Sequence, residues 1–263
     1  MSVWTVLGVN ALMLLATFLT AWLIALKLHD VTFIDSLWAL GMVVMAGSTL
    51  MQTQGDAARK GLLMGLCAVW GVRLGVYLLN RWRNHGVDRR YEKMFAHAQA
   101  TRGWGFAKAS LLLVFATQAP LLFIVCLPVQ LGQIDASPLV GPLGFAGVVV
   151  AVIGIAFETI GDAQLTRFRR DPANAGEVMD RGLWRYTRHP NYFGDACTWW
   201  GLYLIAAETT TGIWALPGPV LLTWTLMKWS GVPTTEGRMK RKKPGYEDYV
   251  RRTSGFVPWW PKG

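Results

Sequence analysis

Cysteine is scarce in this 263-residue chain and scattered where it occurs. Cys67, Cys126 and Cys197 lie singly in apolar segments, and there is no CxxC spacing. That leaves neither a disulfide framework nor a zinc site to expect, and no metal ligands; the three thiols read as packing residues. The chain also lacks a GxGxxG following a strand and any βαβ pattern, so a Rossmann domain is not available to hold a dinucleotide. There is no internal repeat, no low-complexity segment and no linker that would part off a second domain, and 1–263 reads as one domain. A cleavable leader is missing too: the first apolar run, 3–26, is too long for a signal-peptide core and ends without a small-residue cleavage pattern, so it is expected to stay as a span. Two links between apolar runs, 130–138 and 208–212, hold no Lys or Arg at all.

What is present is apolar. Hydrophobic residues make up 52% of the chain, there are 14 Trp, and the mean hydropathy is +0.30, which together point to a membrane protein. Crossing about 30 Å of hydrocarbon takes roughly 20 residues of helix. Runs suited to that lie at 3–26, 31–51, 61–80, 109–131, 139–164, 191–207 and 212–230. The expected fold is therefore all-α, a polytopic bundle of seven transmembrane helices. The net charge of +10 could suggest nucleic acid, but the basic residues sit between apolar segments and not on one domain face. They are topology signals by the positive-inside rule, meeting anionic headgroups, and no nucleic-acid partner is expected. The links holding Arg81 to Lys108 and Arg167 to Arg188, with the tail from Arg238 to Lys262, then fall on the cytoplasmic side. The two links without basic residues fall outside, which puts the N-terminus outside and the C-terminus in the cytoplasm. Tyr91 to Ala100 can form a short interfacial amphipathic helix, with Tyr91, Met94 and Phe95 on one side, or a solvated basic loop. The last 30 residues or so, from Pro233, drop in hydrophobicity and read as a soluble cap on the cytoplasmic face.

Most of the polar chemistry converges on Arg181-Gly182-Leu183-Trp184-Arg185-Tyr186-Thr187-Arg188-His189-Pro190-Asn191-Tyr192-Phe193-Gly194-Asp195. Pro190 suits the first turn of a helix, which places Arg188 and His189 just outside and Asn191 and Asp195 just inside. A helix start beside an arginine makes a site for an anion. Ionisable residues within spans are costly, so each asks for a partner or a function. Asp35 can pair with Arg73 or another buried donor, or face a substrate. Glu158 and Asp162, at i and i+4, share a helix face and can join a salt-bridge network with Arg188 or hold the hydroxyls of a ribose. Asp195 shares a face with Asn191. Together these groups suit a large, anionic, hydroxyl-rich molecule such as a dinucleotide. Arg169, Arg170, Arg238, Lys240, Arg241, Lys242 and Lys243 could meet a 2′-phosphate, or serve topology alone.

The stretch from Gly182 to Asp195 resembles the C-terminal signature of the steroid 5α-reductase family, especially its bacterial branch of uncharacterised membrane proteins. The resemblance runs back through Asp162-Ala163-Gln164 and forward through Gly231-Val232-Pro233, Glu236, Pro244-Gly245-Tyr246-Glu247-Asp248-Tyr249 and Phe256-Val257-Pro258-Trp259. A weaker match, Arg73-Leu74-Gly75-Val76-Tyr77-Leu78-Leu79-Asn80-Arg81, lies in the third run. The family implies a seven-helix bundle in which NADPH enters from the cytoplasm and passes hydride to a conjugated double bond of a hydrophobic, lipid-like enone from the bilayer. On that resemblance Asn191 and Asp195 bind the nicotinamide end, and Glu158, Asp162 and Arg169 the adenosine and phosphate end. Arg188, His189, Tyr192, Glu236, Arg238, Tyr246 and Tyr249 complete the implied pocket, which occupies about 155–263, with substrate-side helices over about 1–135. A family glutamate and tyrosine that hold the substrate carbonyl correspond to Asp35 and Trp70. An indole N–H cannot supply a proton to an enolate, and Tyr77, two turns on, is the substitute by facing.

The Arg-His-Pro-x-Tyr core also resembles the isoprenylcysteine carboxyl methyltransferases, which would make S-adenosylmethionine the cofactor and give Glu236 and Tyr249 to it. A non-catalytic lipid-binding or transport protein is a third expectation. The implied partners are a hydrophobic small molecule and membrane lipids, for a monomer in a bacterial inner membrane.

Overall fold

The computed structural model describes residues 1–262, with every side chain among them except those of His85 and Lys242, so the part expected of Lys242 in a basic tail lies outside the described residues. The helices begin and end where the chain supplies caps. Ser2 caps α1 (Val3–Leu28), its hydroxyl accepting from the Thr5 amide at 3.1 Å. After α2 (Ile34–Gln52), the Asp56 carboxylate caps α3 (Ala57–His85), accepting from the Arg59 amide at 2.8 Å. Asp88 does the same for α4 (Arg89–Arg102), which stops at Gly103 with φ 66°. Each cap takes up amides that have no partner within the helix. α5 (Phe106–Val125) carries a π-helical turn, Leu111–Phe115, one turn ahead of Pro120, which has no N–H to give the carbonyl of Ala116. The short α6 (Leu127–Leu131) follows. Proline opens both α7 (Pro142–Arg170) and α8 (Pro190–Ala206), as its preset φ favours. α9 (Pro217–Trp224) runs on as a π-helical turn, Thr225–Trp229, and α10 (Val232–Lys242) and α11 (Tyr246–Arg252) close the order.

Among the described residues there is no strand, only an isolated bridge between Thr187 and Ser254. The fold is all-helical, and five helices, α1, α2, α3, α5 and α7, are long and apolar enough to cross a membrane. The two other apolar runs do not form single helices of that length. The run 191–207 forms α8, 17 residues long, and 212–230 is assembled from a 3-10 turn, Gly212–Ala215, then α9 and its π turn. Pro217 and Pro219 punctuate that last run. The segment 91–100 is helical, as the amphipathic reading expects, within α4; Tyr91, Met94 and Phe95 pack on the core.

One apolar core joins Phe18 of α1, Met42 of α2, Trp70 of α3, Leu122 of α5, Trp199 of α8 and Leu222 of α9. The outside is apolar as well: Trp4 is 83% exposed, Leu12 69% and Phe145 62%, a surface suited to hydrocarbon and not to water. α7 and α8 meet through small residues. A Cβ added at Gly154 would lie 2.4 Å from the Thr198 amide nitrogen, and one at Gly194 2.5 Å from that of Glu158. Small residues let two helix backbones touch, and the contact sets Glu158 directly against α8.

The two ends of the bundle are held differently. At the end where α3 begins, Asn10 is fully buried and completely paired: its amide donates to Thr49 Oγ1 (2.8 Å) and Gln130 Oε1 (3.0 Å), and its oxygen accepts from Ser48 (2.7 Å) and Gln52 (3.0 Å). Nearby the Glu208 carboxylate accepts from the amides of Gly141 (3.0 Å) and Gly144 (2.8 Å) at the start of α7, with buried Arg59 3.4 Å away. Burial works against ionisation of Glu208, but those amides and Arg59 outweigh it and hold its carboxyl below the usual range. The other end gathers the basic links and the tail.

Candidate functional site

The central polar cluster is built by α3, α7 and α8 near the basic end. Trp70, Arg73 and Tyr77 share one face of α3, Glu158 and Asp162 one face of α7, and Asn191, Asp195 and Trp199 one face of α8, by the i, i+3, i+4 spacing of helices. Arg73 donates to Asp162 at 2.8 Å and pairs with Glu158 at 3.2 Å. The Trp70 indole N–H donates to the other oxygen of Glu158 at 2.8 Å, and the Trp70 and Trp199 rings meet edge to face at 5.3 Å. Asn191 lies against Asp162, and Asp195 stands within reach of Glu158, Asp162 and Arg73. Glu158, Asp162 and Asp195 are all buried.

Three carboxylates thus surround one arginine, and acceptors exceed donors. Among the described residues Asn191 Oδ1, Asp195 Oδ1, Trp199 Nε1 and the Nε and Nη2 of Arg73 are buried without a hydrogen-bond partner, although Nη2 is ion-paired with Glu158. Buried polar atoms are nearly always paired, so these atoms, acceptors and donors both, mark capacity to bind something. A cleft of about 460 Å³ opens at the Arg73–Asp162 pair, lined by those two with Tyr77, Thr166, Arg167 and Arg170 among others, all of α3 and α7. The Tyr77 hydroxyl is 3.3 Å from that of Thr166 on its wall. Arg169 and Arg238, both exposed, stand within electrostatic range of each other, with Tyr77 and Asp162 within range of Arg169.

The signature stretch is tied to the tail. Gly182, at φ 60°, sits where a Cβ would fall 2.4 Å from Gln164 Nε2, and Gln164 Oε1 accepts from the Leu183 amide at 3.0 Å. The Trp184 indole donates to the Gly161 carbonyl at 3.0 Å. Arg188 donates to Glu236 (2.8 Å) and to the carbonyls of Val250 (3.1 Å) and Thr253 (2.6 Å). His189 Nε2 is 3.1 Å from the same Glu236 oxygen, its ring stacked on Tyr192 at 5.2 Å, and the Tyr192 hydroxyl is 3.2 Å from that of Thr235. Burial opposes the ionisation of Glu236, yet His189 and Arg188 pull its carboxyl down to about 2. Tyr249 donates to the Trp184 carbonyl at 2.5 Å; burial raises its phenol, and burial together with Glu236 pushes the Tyr246 phenol up to about 12. Arg188, His189, Tyr192, Glu236, Tyr246 and Tyr249 therefore form a latch that fastens α10 and α11 onto the start of α8.

Asp35 is placed elsewhere. It accepts from Arg81 (3.2 Å), Arg90 (3.1 Å) and the Tyr91 hydroxyl (3.1 Å), tying α2 and α3 to α4. Arg81 lies about three turns, roughly 16 Å of helix, beyond Trp70. The structure thus brings Trp70 together with Glu158, Asp162, Asn191 and Asp195, sets Tyr77, Arg169 and Arg238 at or near the cleft, and leaves Asp35 apart. Arg73 and Trp199 belong to the cluster without having been singled out as site residues. The signal that finds them is their spacing: Arg73 follows Trp70 by three and precedes Tyr77 by four, and Trp199 follows Asp195 by four.

Apolar helices of spanning length, with a buried set of charges where three of the helices meet, place the molecule among helical membrane proteins. More narrowly, the chain belongs to the family described as "Protein of unknown function (DUF1295)", matched over residues 21–253. That family lies within the broad steroid 5α-reductase group, and the match is to it and not to the reductases themselves. A 101-residue stretch is 29% identical to an uncharacterised protein of Schizosaccharomyces pombe, covering 35% of this chain and 27% of that one. The chain therefore matches about a quarter of that relative's length. No solved structure matches the chain.

Proposed function

We propose that this protein is a membrane-embedded, NADPH-dependent reductase that transfers hydride to a conjugated C=C of a hydrophobic enone drawn from the bilayer. It would act as a monomer with seven crossings, its N-terminus outside and its basic end in the cytoplasm of a bacterial inner membrane. The observation that carries this reading is the set of unpaired buried atoms on α8, Asn191 Oδ1 and Asp195 Oδ1, beside the Arg73 cluster. Two acceptors without donors suit the N–H₂ of a carboxamide or the hydroxyls of a ribose. Arg167, Arg169, Arg170 and Arg238, at or near the cleft, suit phosphates. NADPH, when bound, would supply the hydride.

The chain's own residues have separate tasks. Asn191 and Asp195 orient the cofactor, and Arg73 holds Glu158 and Asp162 in place through its two ion pairs. Glu158 accepts from the Trp70 indole and takes the carbonyl-holding task that the resemblance gave to Asp35. Tyr77 faces the cleft from the same helix. The latch residues Arg188, His189, Glu236, Tyr246 and Tyr249 act through position, by holding the tail on the start of α8.

The surplus of carboxylates over cations favours a second reading, in which a cation sits in the cluster: S-adenosylmethionine, for a membrane methyltransferase. Glu236, which that reading assigns to the cofactor, is bound by Arg188 and His189. One thermal-shift comparison in detergent separates the readings, since a specific ligand raises apparent stability by mass action. NADPH should raise the melting temperature, S-adenosylmethionine should not, and Asn191→Ala should reduce the NADPH shift. A response to S-adenosylmethionine alone would overturn the reductase, and a response to neither would favour a non-catalytic lipid-binding or transport protein.

A further inference from the structure

We infer that the groove between α4 and the start of α5 is a binding site for an anionic phospholipid, separate from the Arg73 cluster. The groove has a volume of about 350 Å³ and is walled by Phe95, Ala96, Gln99 and Ala100 of α4 with Trp104 and Phe106. Gln99 is the one polar side chain among those lining residues. Such a wall accepts hydrocarbon.

The rim is basic. The Arg102 guanidinium lies 4.8 Å from the centre of the Trp104 ring and the Lys108 ammonium 5.0 Å from it, so a single indole carries two exposed cations. Each is attracted to the ring, but the two repel one another, and an anion placed beside both relieves that. His29 stacks on Phe106 at 5.3 Å, which brings the end of α1, with exposed Lys27, to the same rim. Trp22 of α1 donates to Ser110 at 3.2 Å and closes the seam behind. Among the described residues no acid lines the groove; Glu92, the acid within α4, lies a turn before Ala96.

Aromatic walls below and cations above match the two halves of one molecule, an acyl chain and a phosphate headgroup. An amphipathic helix beside membrane helices sits at the depth where both are found, and Trp is favoured there. Charge complementarity at Arg102 and Lys108, together with the apolar wall, commits the site to a lipid phosphate and not to a soluble one. The phosphate accepts hydrogen bonds from the two cations, and no bond is made or broken.

The test is native mass spectrometry of the full-length protein released from phosphatidylcholine nanodiscs with and without a minor fraction of phosphatidylglycerol. Phosphatidylglycerol should be retained in preference to phosphatidylcholine, and inorganic phosphate should not displace it. The double variant Arg102→Gln/Lys108→Gln should cut that preference by about 10-fold or more, at roughly fivefold for each cation near an anionic surface. Ala100→Trp, which fills the groove and keeps both charges, should cut it comparably. Arg83→Gln, a basic residue of the same end outside the groove, should leave it unchanged. Equal retention of the two lipids, displacement by inorganic phosphate, an unaffected Ala100→Trp protein, or an equal loss in Arg83→Gln would each overturn the site.

Discussion

The two ends of this helix bundle bury polar groups in opposite ways. Around Asn10 the donors and acceptors match: every polar atom of that amide has a partner, and the Glu208 carboxylate takes the free amides at the start of α7. Arg59, Gln52 and Gln133 are the exceptions there: Arg59 reaches Glu208 with Nη2, while its Nε and Nη1, Gln52 Oε1 and Gln133 Oε1 find no partner among the described residues. Around Arg73 there are three carboxylates to one guanidinium, and atoms without a hydrogen-bond partner on Asn191, Asp195, Trp199 and Arg73 itself. Asn10 and Glu208 find their partners within the fold, whereas three carboxylates gathered on one guanidinium leave an excess of acid that points to something the protein binds. The contrast separates residues that hold the bundle from residues that use it.

Breaking the satisfied end should give the largest loss of stability. Glu208→Ala strands the buried Arg59 and uncaps α7, at a cost of about 3–5 kcal/mol, read from chemical unfolding of the detergent-solubilised protein. The folded fraction should still bind ligand at the Arg73 cluster. Asn10→Leu leaves Thr49, Gln52 and Gln130 without their hub and should cost about 1–3 kcal/mol for each group it orphans. At the open end the outcome reverses. Asp195→Asn should change stability by less than about 1 kcal/mol, or raise it, because a buried carboxylate in an acid-rich cluster becomes neutral at the same volume. It should lower NADPH affinity by about 10-fold or more, as loss of a charge-assisted hydrogen bond does. If Asp195→Asn destabilises as much as Glu208→Ala and ligand affinity is untouched, the contrast between the two ends fails.

The smallest effect lies in the latch. Glu236 is held at about 2 in the folded protein against an ordinary value of 4.5, so its contribution is complete above 4.5 and is lost as the pH falls through 2. The stability difference between the wild type and Glu236→Gln should therefore shrink across that window. At neutral pH it should be no more than about 1 kcal/mol, since the group is partly open to solvent.

Much of the fold was legible in the hydropathy of the chain, and the site was legible only by halves. Apolar runs of spanning length predict α1, α2, α3, α5 and α7 closely, because length and mean hydropathy are one-dimensional properties. The run 212–230 breaks into short pieces because an average over a window ignores Gly212, Pro217 and Pro219 within it. Spacing along one helix correctly groups Glu158 with Asp162 and Asn191 with Asp195. Spacing does not say which helix stands opposite. Asp35 takes Arg81 and Arg90 in place of Arg73, and Glu158 and Asp162 take Arg73 in place of Arg188. Arg188 looked like an anion donor because a helix start and an arginine sit side by side. Its actual partners, Glu236 and the carbonyls of Val250 and Thr253, are 48 to 65 residues away in the chain, beyond the reach of any local pattern.

That latch sets an order of events during synthesis. Tyr186, Thr187 and Arg188 take their backbone or side-chain partners from residues 250–259: the Trp259 amide donates to Tyr186, Thr187 donates to the Phe256 carbonyl, and the Arg188 amide donates to the Ser254 carbonyl. The ribosome delivers those residues after all five helices of spanning length. Each apolar helix can enter the bilayer as it emerges, but the start of α8, with Asn191 and Asp195 behind it, is fully fastened only after residues 250–259 have emerged as well. A messenger truncated before the codon for Thr235 would yield an inserted protein whose α8 has no tail to hold it.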